Sequence, residues 1–399
     1  MKLFQRLLVA PAALGLISPL AANATEVNLN EIANYSDVES IELSNSFENN
    51  ELTNSSLLAG GEGLVDTTSY DGGFSETTTA SFSVDFGVGY VDGLGLTAAR
   101  TDGNEDLEFN YSFQIDLNTS FTGEDSLDIS LDAGNGVAAN TATATGTVTT
   151  WSTALAELDF NTGADAVTVD GVSYTFPVGD SMTAIVGDNT DGSALFTTAC
   201  AYGGPSNTLD DCGNVNAGIT NGGAMAGAAY DFGNGLTAAV GYAGPEGGLM
   251  TDESADAYGI NLAYTDDSYG VSFTYGVLEV GANENTYTAL NGYYSFDNGM
   301  NVSVGYELGD LGGQPATTDE STNYFLGING EVGPGELGVA LGTSGGQQEG
   351  SDEELMYEAY YSYPVNDGMT ITPLIYLKEQ ATVGTPDQTG VMVKTSFSF

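Results

Sequence analysis

The sequence predicts an all-β protein, a transmembrane antiparallel β-barrel of about 16 strands. Two observations predict this fold class. From residue 77 onward, apolar and polar side chains alternate with a period of two, which is the pattern of strands that have one apolar and one wet face. The breaks between these strands are alternately short and long. That rhythm indicates a barrel with one tight end and one elaborated end, and a soluble sandwich has no reason to keep it.

The start of the chain predicts the compartment. Lys2 and Arg6 precede an apolar run over residues 7–20, and Ala22-Asn23-Ala24 fits the small-x-small cleavage rule, so residues 1–24 are interpreted as a secretory signal peptide. No later stretch reaches the roughly 18 apolar residues that a helical membrane span needs. Membrane insertion therefore has to use strands, and the expected location is the outer membrane.

Two regions follow the signal peptide. Residues 25–76 are rich in Asn, Ser and Glu and too poor in apolar residues for a core, so they are interpreted as a polar periplasmic leader. Residues 77–399 are predicted to form the outer-membrane barrel. A leader that binds peptidoglycan is an alternative interpretation, but its composition does not indicate one.

Strands are recognisable by their alternation. In the first one, Phe82, Val84, Phe86, Val88 and Tyr90 share a face, with Ser83, Asp85, Gly87 and Gly89 on the other. Similar runs recur down to the last stretch, TGVMVKTSFSF, where Val391, Val393, Thr395, Phe397 and Phe399 share a face. Aromatic residues at the ends of apolar faces suit the interfaces of a membrane barrel. Phe397 and Phe399 are therefore predicted to be an assembly signal in the strand that closes the barrel.

The connections support the count of about 16 strands. Short turns, assigned to the periplasmic end, are predicted at 122–125, 177–180, 232–235, 266–268, 297–299, 333–335 and 365–368. Longer polar connections, assigned to the extracellular end, are predicted at about 91–106, 135–164, 188–223, 244–254, 280–284, 310–321, 344–352 and 380–387. Seven short turns and eight longer loops separate sixteen strands.

Several segments resemble a known family. The signal segment MKLFQRLLVAPAALGLISPLAANA, DLNTSFTGEDSL (116–127), SYTFPVGD (173–180) and the ending YYSYPVNDGMTITPLIYLKEQ...GVMVKTSFSF are similar to outer-membrane porins of marine picocyanobacteria. These are relatives of the cyanobacterial porins that carry an S-layer homology module ahead of the barrel. This chain has only the short polar leader at that place. The resemblance implies a homotrimeric barrel that passes small hydrophilic solutes.

Charge restricts the possible functions. The chain has 5 basic and 55 acidic residues, and after loss of residues 1–24 three basic residues remain, Arg100, Lys378 and Lys394. Nucleic acid is excluded as a partner, because such an acidic chain repels it. The sequence has no His, which excludes a Ser-His hydrolase, and two cysteines without His cannot build a tetrahedral zinc site. We therefore expect no enzymatic activity, no cofactor and no metal site. The Asp, Asn and Gly clusters at 102–106 and 187–192 could hold calcium, but they lack the spacing of an EF-hand or a nonapeptide repeat, and surface solvation is the preferred interpretation.

The pore-lining candidates are carboxylates that fall on the inward face of predicted strands. They would favour cations, because a ring of carboxylates in a narrow pore concentrates a negative potential. Ordinary solvated residues on a wet wall would show the same pattern. The candidates are Asp85, Glu108, Asp116, Asp128, Asp132, Glu307, Glu331, Glu354 and Glu358, with Arg100 as the basic residue that could oppose them.

Cys200 and Cys212 fall in the longest predicted loop. In an oxidising compartment they are predicted to form a disulfide that staples this loop. That loop and the one at 135–164 are long enough to fold inward and narrow the pore.

Two functions remain open. One is a passive porin that prefers cations and has outer-membrane lipid, lipopolysaccharide and the barrel-assembly machinery as partners. The alternative is a secreted acidic β-rich surface or binding protein, which would be released into the medium and would contain internal repeats.

Overall fold

A computed structural model gives the fold. It describes residues 78–93, 107–136, 155–161, 165–220, 223–251, 255–344, 347–380 and 387–399. The predicted signal peptide, the predicted leader and Arg100 lie outside these residues. No helix among the described residues is long and apolar enough to cross a membrane.

The described residues form a closed antiparallel barrel. Sixteen long strands, β1–β13 and β15–β17, form the wall, and the two-residue strand β14 pairs with β12. The strands are β1 Thr78–Asp92, β2 Glu108–Thr119, β3 Ser126–Gly134, β4 Thr168–Val178, β5 Met182–Asp188, β6 Ala224–Gly233, β7 Leu236–Gly244, β8 Ala257–Thr265, β9 Tyr269–Val280, β10 Asn283–Ser295, β11 Met300–Leu311, β12 Glu320–Val332, β13 Gly335–Thr343, β14 Gln347–Gln348, β15 Leu355–Asn366, β16 Met369–Lys378 and β17 Gln388–Ser398.

Closure comes from the pairing of the first and last strands. β1 pairs with β2 on one side and with β17 on the other, in a register that sets Ser83 opposite Ser398 and Asp92 opposite Thr389. Phe82 and Phe399 exchange two backbone hydrogen bonds of 2.9 and 3.0 Å, and their rings stack with centroids 5.7 Å apart. The barrel therefore has no open edge along these strands, as an antiparallel sheet in lipid requires.

The alternation of apolar and polar residues separates an outer from an inner face. On β8, Ile260 and Leu262 are about half exposed, whereas Asn261 between them is 3 % exposed. Large apolar residues continue this outer face on the neighbouring strands, with Val240 on β7 and Val271 on β9. An apolar band on the outside and small or polar residues on the inside are the reverse of a soluble barrel and suit a lipid surround.

The connections follow the predicted order, with one correction. The seven tight turns lie between the predicted strand pairs, and longer connections lie at the opposite end. The connection predicted at 280–284 is wrong in length, because β9 ends at Val280 and β10 begins at Asn283. Gly281 takes a positive φ of 64° there, which lets two residues close the hairpin.

Asp125 organises the turn between β2 and β3. Its Oδ1 accepts hydrogen bonds of 2.8–3.0 Å from the backbone N–H groups of Phe121 and Thr122 and from the hydroxyls of Ser120 and Thr122. The Tyr174 hydroxyl donates to Oδ2 at 2.6 Å. That bond, joined by those from Ser120 and Thr122, holds the pKa of Asp125 well below its usual range. Asp125 is therefore ionised, and its carboxylate holds the turn in place.

Candidate pore and its inward loops

The described parts of two long connections lie inside the barrel. We call the connection between β5 and β6, residues 189–223, the β5–β6 loop. We call residues 155–161 of the connection between β3 and β4 the β3–β4 segment; it includes a single 3-10 turn, Ala156–Leu158. Together they cover part of the inner wall.

The β5–β6 loop crosses the inner wall strand by strand. Backbone N–H groups of Thr197, Ala199 and Ala201 donate to side chains of β8, β9 and β11, each at 2.9 Å. Their acceptors are Asn261 Oδ1, Ser272 Oγ and Ser303 Oγ, in that order. Every second loop residue thus donates its backbone N–H to a polar side chain of the wall, as it would to a neighbouring strand in a sheet. These wall residues are buried although they face the lumen.

Glycine on the wall allows this close approach. A Cβ on Gly305 of β11 would collide with the carbonyl oxygen of Cys212, and one on Gly241 of β7 would collide with that of Gly192. The wall therefore needs a residue without a side chain where the loop backbone touches it. Asn291 Nδ2 donates to the same Cys212 carbonyl at 2.9 Å.

A disulfide joins Cys200 and Cys212, whose Cα atoms are 6.4 Å apart. It closes residues 200–212 of the loop into a ring. Within this part, the Tyr202 hydroxyl donates to Glu358 Oε1 of β15 at 2.6 Å, and Leu209 is buried against the wall.

Glu307 of β11 fixes the return of the loop. Its carboxylate accepts four hydrogen bonds of 2.8–2.9 Å: from the backbone N–H groups of Asn216 and Ala217 and from the side-chain amides of Asn216 and Asn323. Glu307 is 1 % exposed. A buried carboxylate needs such a set of donors, because it has lost its water.

An apolar cluster lies inside the barrel where the two inward loops meet the wall. Leu155, Leu158 and Phe160 of the β3–β4 segment pack with inward residues of β1, β12, β13 and β15–β17 and with the β5–β6 loop. The other members are Val91, Tyr202, Leu209, Cys212, Phe325, Ala340, Met356, Tyr360, Leu374, Tyr376 and Met392. This side of the interior is thus a packed core.

A polar recess lies along another part of the wall, from β3 to β5. Its volume is about 350 Å³, and its lining includes Asp128, Asp170, Asp191, Ser130 and Ser173. Burial, together with the nearby carboxylate of Asp170, raises the pKa of Asp191 in the β5–β6 loop. The recess collects carboxylate and hydroxyl oxygens, which are groups that solvate cations.

Several predicted pore residues lie on the strands of this recess or on the neighbouring strands β1 and β2. Asp116 accepts hydrogen bonds from Gln114 and Ser130, Asp128 from Asn118 and Ser126, and Asp132 from Thr168. Asp85 pairs with Lys394 at 3.1 Å. Glu108 begins β2 and is half-buried, whereas Glu331 is exposed beside a tight turn.

Three predicted positions need correction. Glu307 and Glu358 are 1 % and 4 % exposed, because the β5–β6 loop covers them, so they position that loop and do not line an open lumen. Glu354 lies in the connection before β15, off the barrel strands. Arg100 lies outside the described residues.

Sequence reasoning missed Asp170, for a clear reason. Simple alternation puts it on the same face as Val172 and Tyr174, which is the outer face. The pairing of β3 with β4 shifts between Ser130 and Leu131, so Asp170 is the extra residue of a β-bulge. A bulge redirects one side chain, and the Asp-Gly pair at 170–171 inside a strand was the available signal.

Comparison with known proteins supports the fold and no more. No family model and no curated protein matches this chain. Among solved structures, an engineered variant of the porin from Rhodopseudomonas blastica is similar at 16% sequence identity and a TM-score of 0.55, covering 81% of this chain and 100% of that chain. A triple mutant of that porin gives 15% identity and a TM-score of 0.53 with the same coverage. The TM-scores show that the barrel fold is shared, and at this low identity they show nothing beyond the fold.

Proposed function

We propose that this protein is an outer-membrane porin that passes small hydrophilic solutes and prefers cations. The closed barrel with an apolar outside supports membrane insertion, and the polar recess along β3–β5 supports a hydrophilic path. The porin-like fold and the sequence resemblance agree with this function. We further propose, from the resemblance, that the protein acts as a homotrimer assembled by the barrel-assembly machinery in outer-membrane lipid and lipopolysaccharide.

The cation preference rests on one observation about charge. The two described basic residues of the barrel wall are each held by a carboxylate: Lys378 by Glu157 at 2.7 Å and Lys394 by Asp85 at 3.1 Å. The recess instead gathers Asp128, Asp170 and Asp191. Carboxylates without an opposing cation make the local potential negative, and a narrow low-dielectric wall strengthens it.

The test is the reversal potential of the purified protein in a planar bilayer under a potassium chloride gradient at pH 7. A potassium-preferring sign is expected, and the preference should weaken as the Debye length falls from about 10 Å at 0.1 M to about 3 Å at 1 M salt. The variant Asp170→Asn should reduce the preference. Asp310→Asn, which removes the same charge from an exposed end of β11, serves as the matched control.

A chloride-preferring sign at low salt would reject cation selectivity while leaving the pore in place. Absence of any conductance, together with release of the protein into the medium, would reject the porin itself. Heat-modifiable migration in detergent is the expected sign of a folded membrane barrel.

A further inference from the structure

Lys378 joins three distant parts of the chain inside the barrel. Its Nζ donates to Glu157 Oε1 at 2.7 Å and to Thr208 Oγ1 at 2.9 Å. Lys378 is the last residue of β16, Glu157 belongs to the β3–β4 segment, and Thr208 belongs to the β5–β6 loop. One ammonium group on the wall therefore contacts both inward loops.

Glu157 completes the junction from the loop side. Its Oε2 accepts the backbone N–H of Thr208 at 3.3 Å, and its carbonyl oxygen accepts that of Asn207 at 2.9 Å. The two inward loops thus bind each other through Glu157 and bind the wall through Lys378.

The junction is largely dry. The Glu157 side chain is 9 % exposed and that of Lys378 is 21 % exposed. The apolar cluster continues from Glu157 on both sides, with Leu155 and Leu158 buried. A buried carboxylate that loses its cation is strongly unfavourable, since water cannot replace the lost partner without opening the packing. Removing either charge should therefore loosen the loops.

We propose that Lys378 and Glu157 form a latch that sets the width of the channel by keeping both inward loops seated on the β16 side of the wall. This inference rests on the proposed porin function. It makes Lys378 and Glu157 positioning residues, since neither needs to contact a solute. When the latch opens, the β3–β4 segment can leave the wall, and the open cross-section becomes larger.

The second ion pair provides a matched control. Lys394 Nζ lies 3.1 Å from Asp85 Oδ2 and joins β17 to its neighbour β1. Lys394→Gln removes one positive charge from the inner wall, as Lys378→Gln does, but it breaks a contact between wall strands. Comparison of the two variants separates the effect of charge from the effect of loop seating.

The experiment measures channel width with neutral probes. Single-channel conductance in 1 M potassium chloride is recorded with polyethylene glycols of increasing radius, because high salt screens the charge change and neutral polymers ignore it. Lys378→Gln is expected to admit larger polymers than the unaltered protein and to raise conductance. Lys394→Gln, which removes one wall charge without freeing a loop, is expected to leave the polymer cut-off unchanged. Lys378→Arg, which keeps the positive charge, should have the same narrow cut-off as the unaltered protein.

An unchanged polymer cut-off in Lys378→Gln would overturn the latch, provided that the unaltered protein conducts. If the unaltered protein does not conduct, the porin function fails, and that result is distinct. Should Lys378→Gln fail to insert, as judged by heat-modifiable migration, Glu157→Gln decides from the loop side: a wider cut-off supports the latch, and an unchanged one rejects it.

Discussion

Glu307→Gln should free the returning half of the β5–β6 loop while leaving the barrel closed. The substitution keeps the shape of the side chain but replaces one acceptor oxygen by an NH₂ group. In the native protein both carboxylate oxygens accept, one from the backbone N–H groups of Asn216 and Ala217 and the other from the side chains of Asn216 and Asn323. The amide can satisfy only one of these two pairs.

The size of the effect follows from the number of donors. A buried donor left without an acceptor costs about 1–3 kcal/mol, and two donors are affected. The side-chain amides of Asn216 and Asn323 can turn to present oxygen, which recovers part of this cost. We therefore expect a loss of about 2 kcal/mol in the free energy of local opening for Glu307→Gln. All four donors are orphaned in Glu307→Ala, for which we expect about 4 kcal/mol or more.

Hydrogen exchange measures this directly. Exchange of protected amides reports the free energy of local opening, and about 1.4 kcal/mol corresponds to tenfold in rate. Peptides that contain Asn216 and Ala217 should exchange roughly 30-fold faster in Glu307→Gln than in the unaltered protein. Glu331→Gln is the matched control, because it removes the same charge from an exposed position on β12.

The reasoning is refuted if Glu307→Gln leaves exchange at 216–217 within about twofold of the unaltered protein. It is also refuted if Glu331→Gln speeds exchange in the loop as much as Glu307→Gln does. Equal effects would mean that overall charge, and not the hydrogen bonds of Glu307, governs the seating of the loop.

Three further predictions concern closure, the disulfide and pH. Deletion of Phe399 removes two backbone hydrogen bonds and a stacked ring from β1, so it should lower the amount of heat-modifiable barrel in the outer membrane; normal amounts would contradict this. Cys200→Ser with Cys212→Ser should keep the barrel inserted but increase protease sensitivity in 201–211, and equal digestion would contradict it. Burial, with Asp210 and Glu307 nearby, raises the pKa of Asp211 to about 7, against a hydrogen bond from the Gly213 N–H. Because the folded loop holds this proton more tightly than an unfolded one, loop stability should fall as pH rises from about 4 to about 7. Hydrogen exchange of residues 210–214 should depend less on pH in Asp211→Asn, and the remaining dependence should come from Asp210, whose pKa burial raises to about 6.

Much of the barrel could be predicted from alternation and spacing. A strand with one face in lipid must repeat with a period of two, so the pattern from Phe82 to Tyr90 and its later repeats predicted the number of strands and the faces of the regular ones. The turns were predictable because Gly, Asn and Asp mark tight connections. The one wrong length, at 280–284, arose because the polar residues Asn283 and Glu284 belong to β10, which therefore begins earlier than expected.

The inner wall was harder to predict. Met356, Leu374, Tyr376 and Met392 fall on the inward face, where a wet lumen would favour polar residues. They are buried in the apolar cluster beneath the inward loops. Their apolar character was a sequence signal for a covered wall, but periodicity alone cannot say what covers them.

By itself the sequence determined the all-β class, sixteen alternating strands, the order of tight and long connections, and the large excess of acidic over basic residues. These follow from local chemistry: the period of a strand, the preferences of turn residues and the count of charges. Only the tertiary structure decided that Glu307 and Glu358 hold a loop, that a bulge turns Asp170 toward the recess, and that Lys378 meets Glu157 across 221 positions of sequence. Such contacts depend on where two long loops pack inside a closed barrel. No local sequence pattern specifies which residues far apart in the chain will meet there.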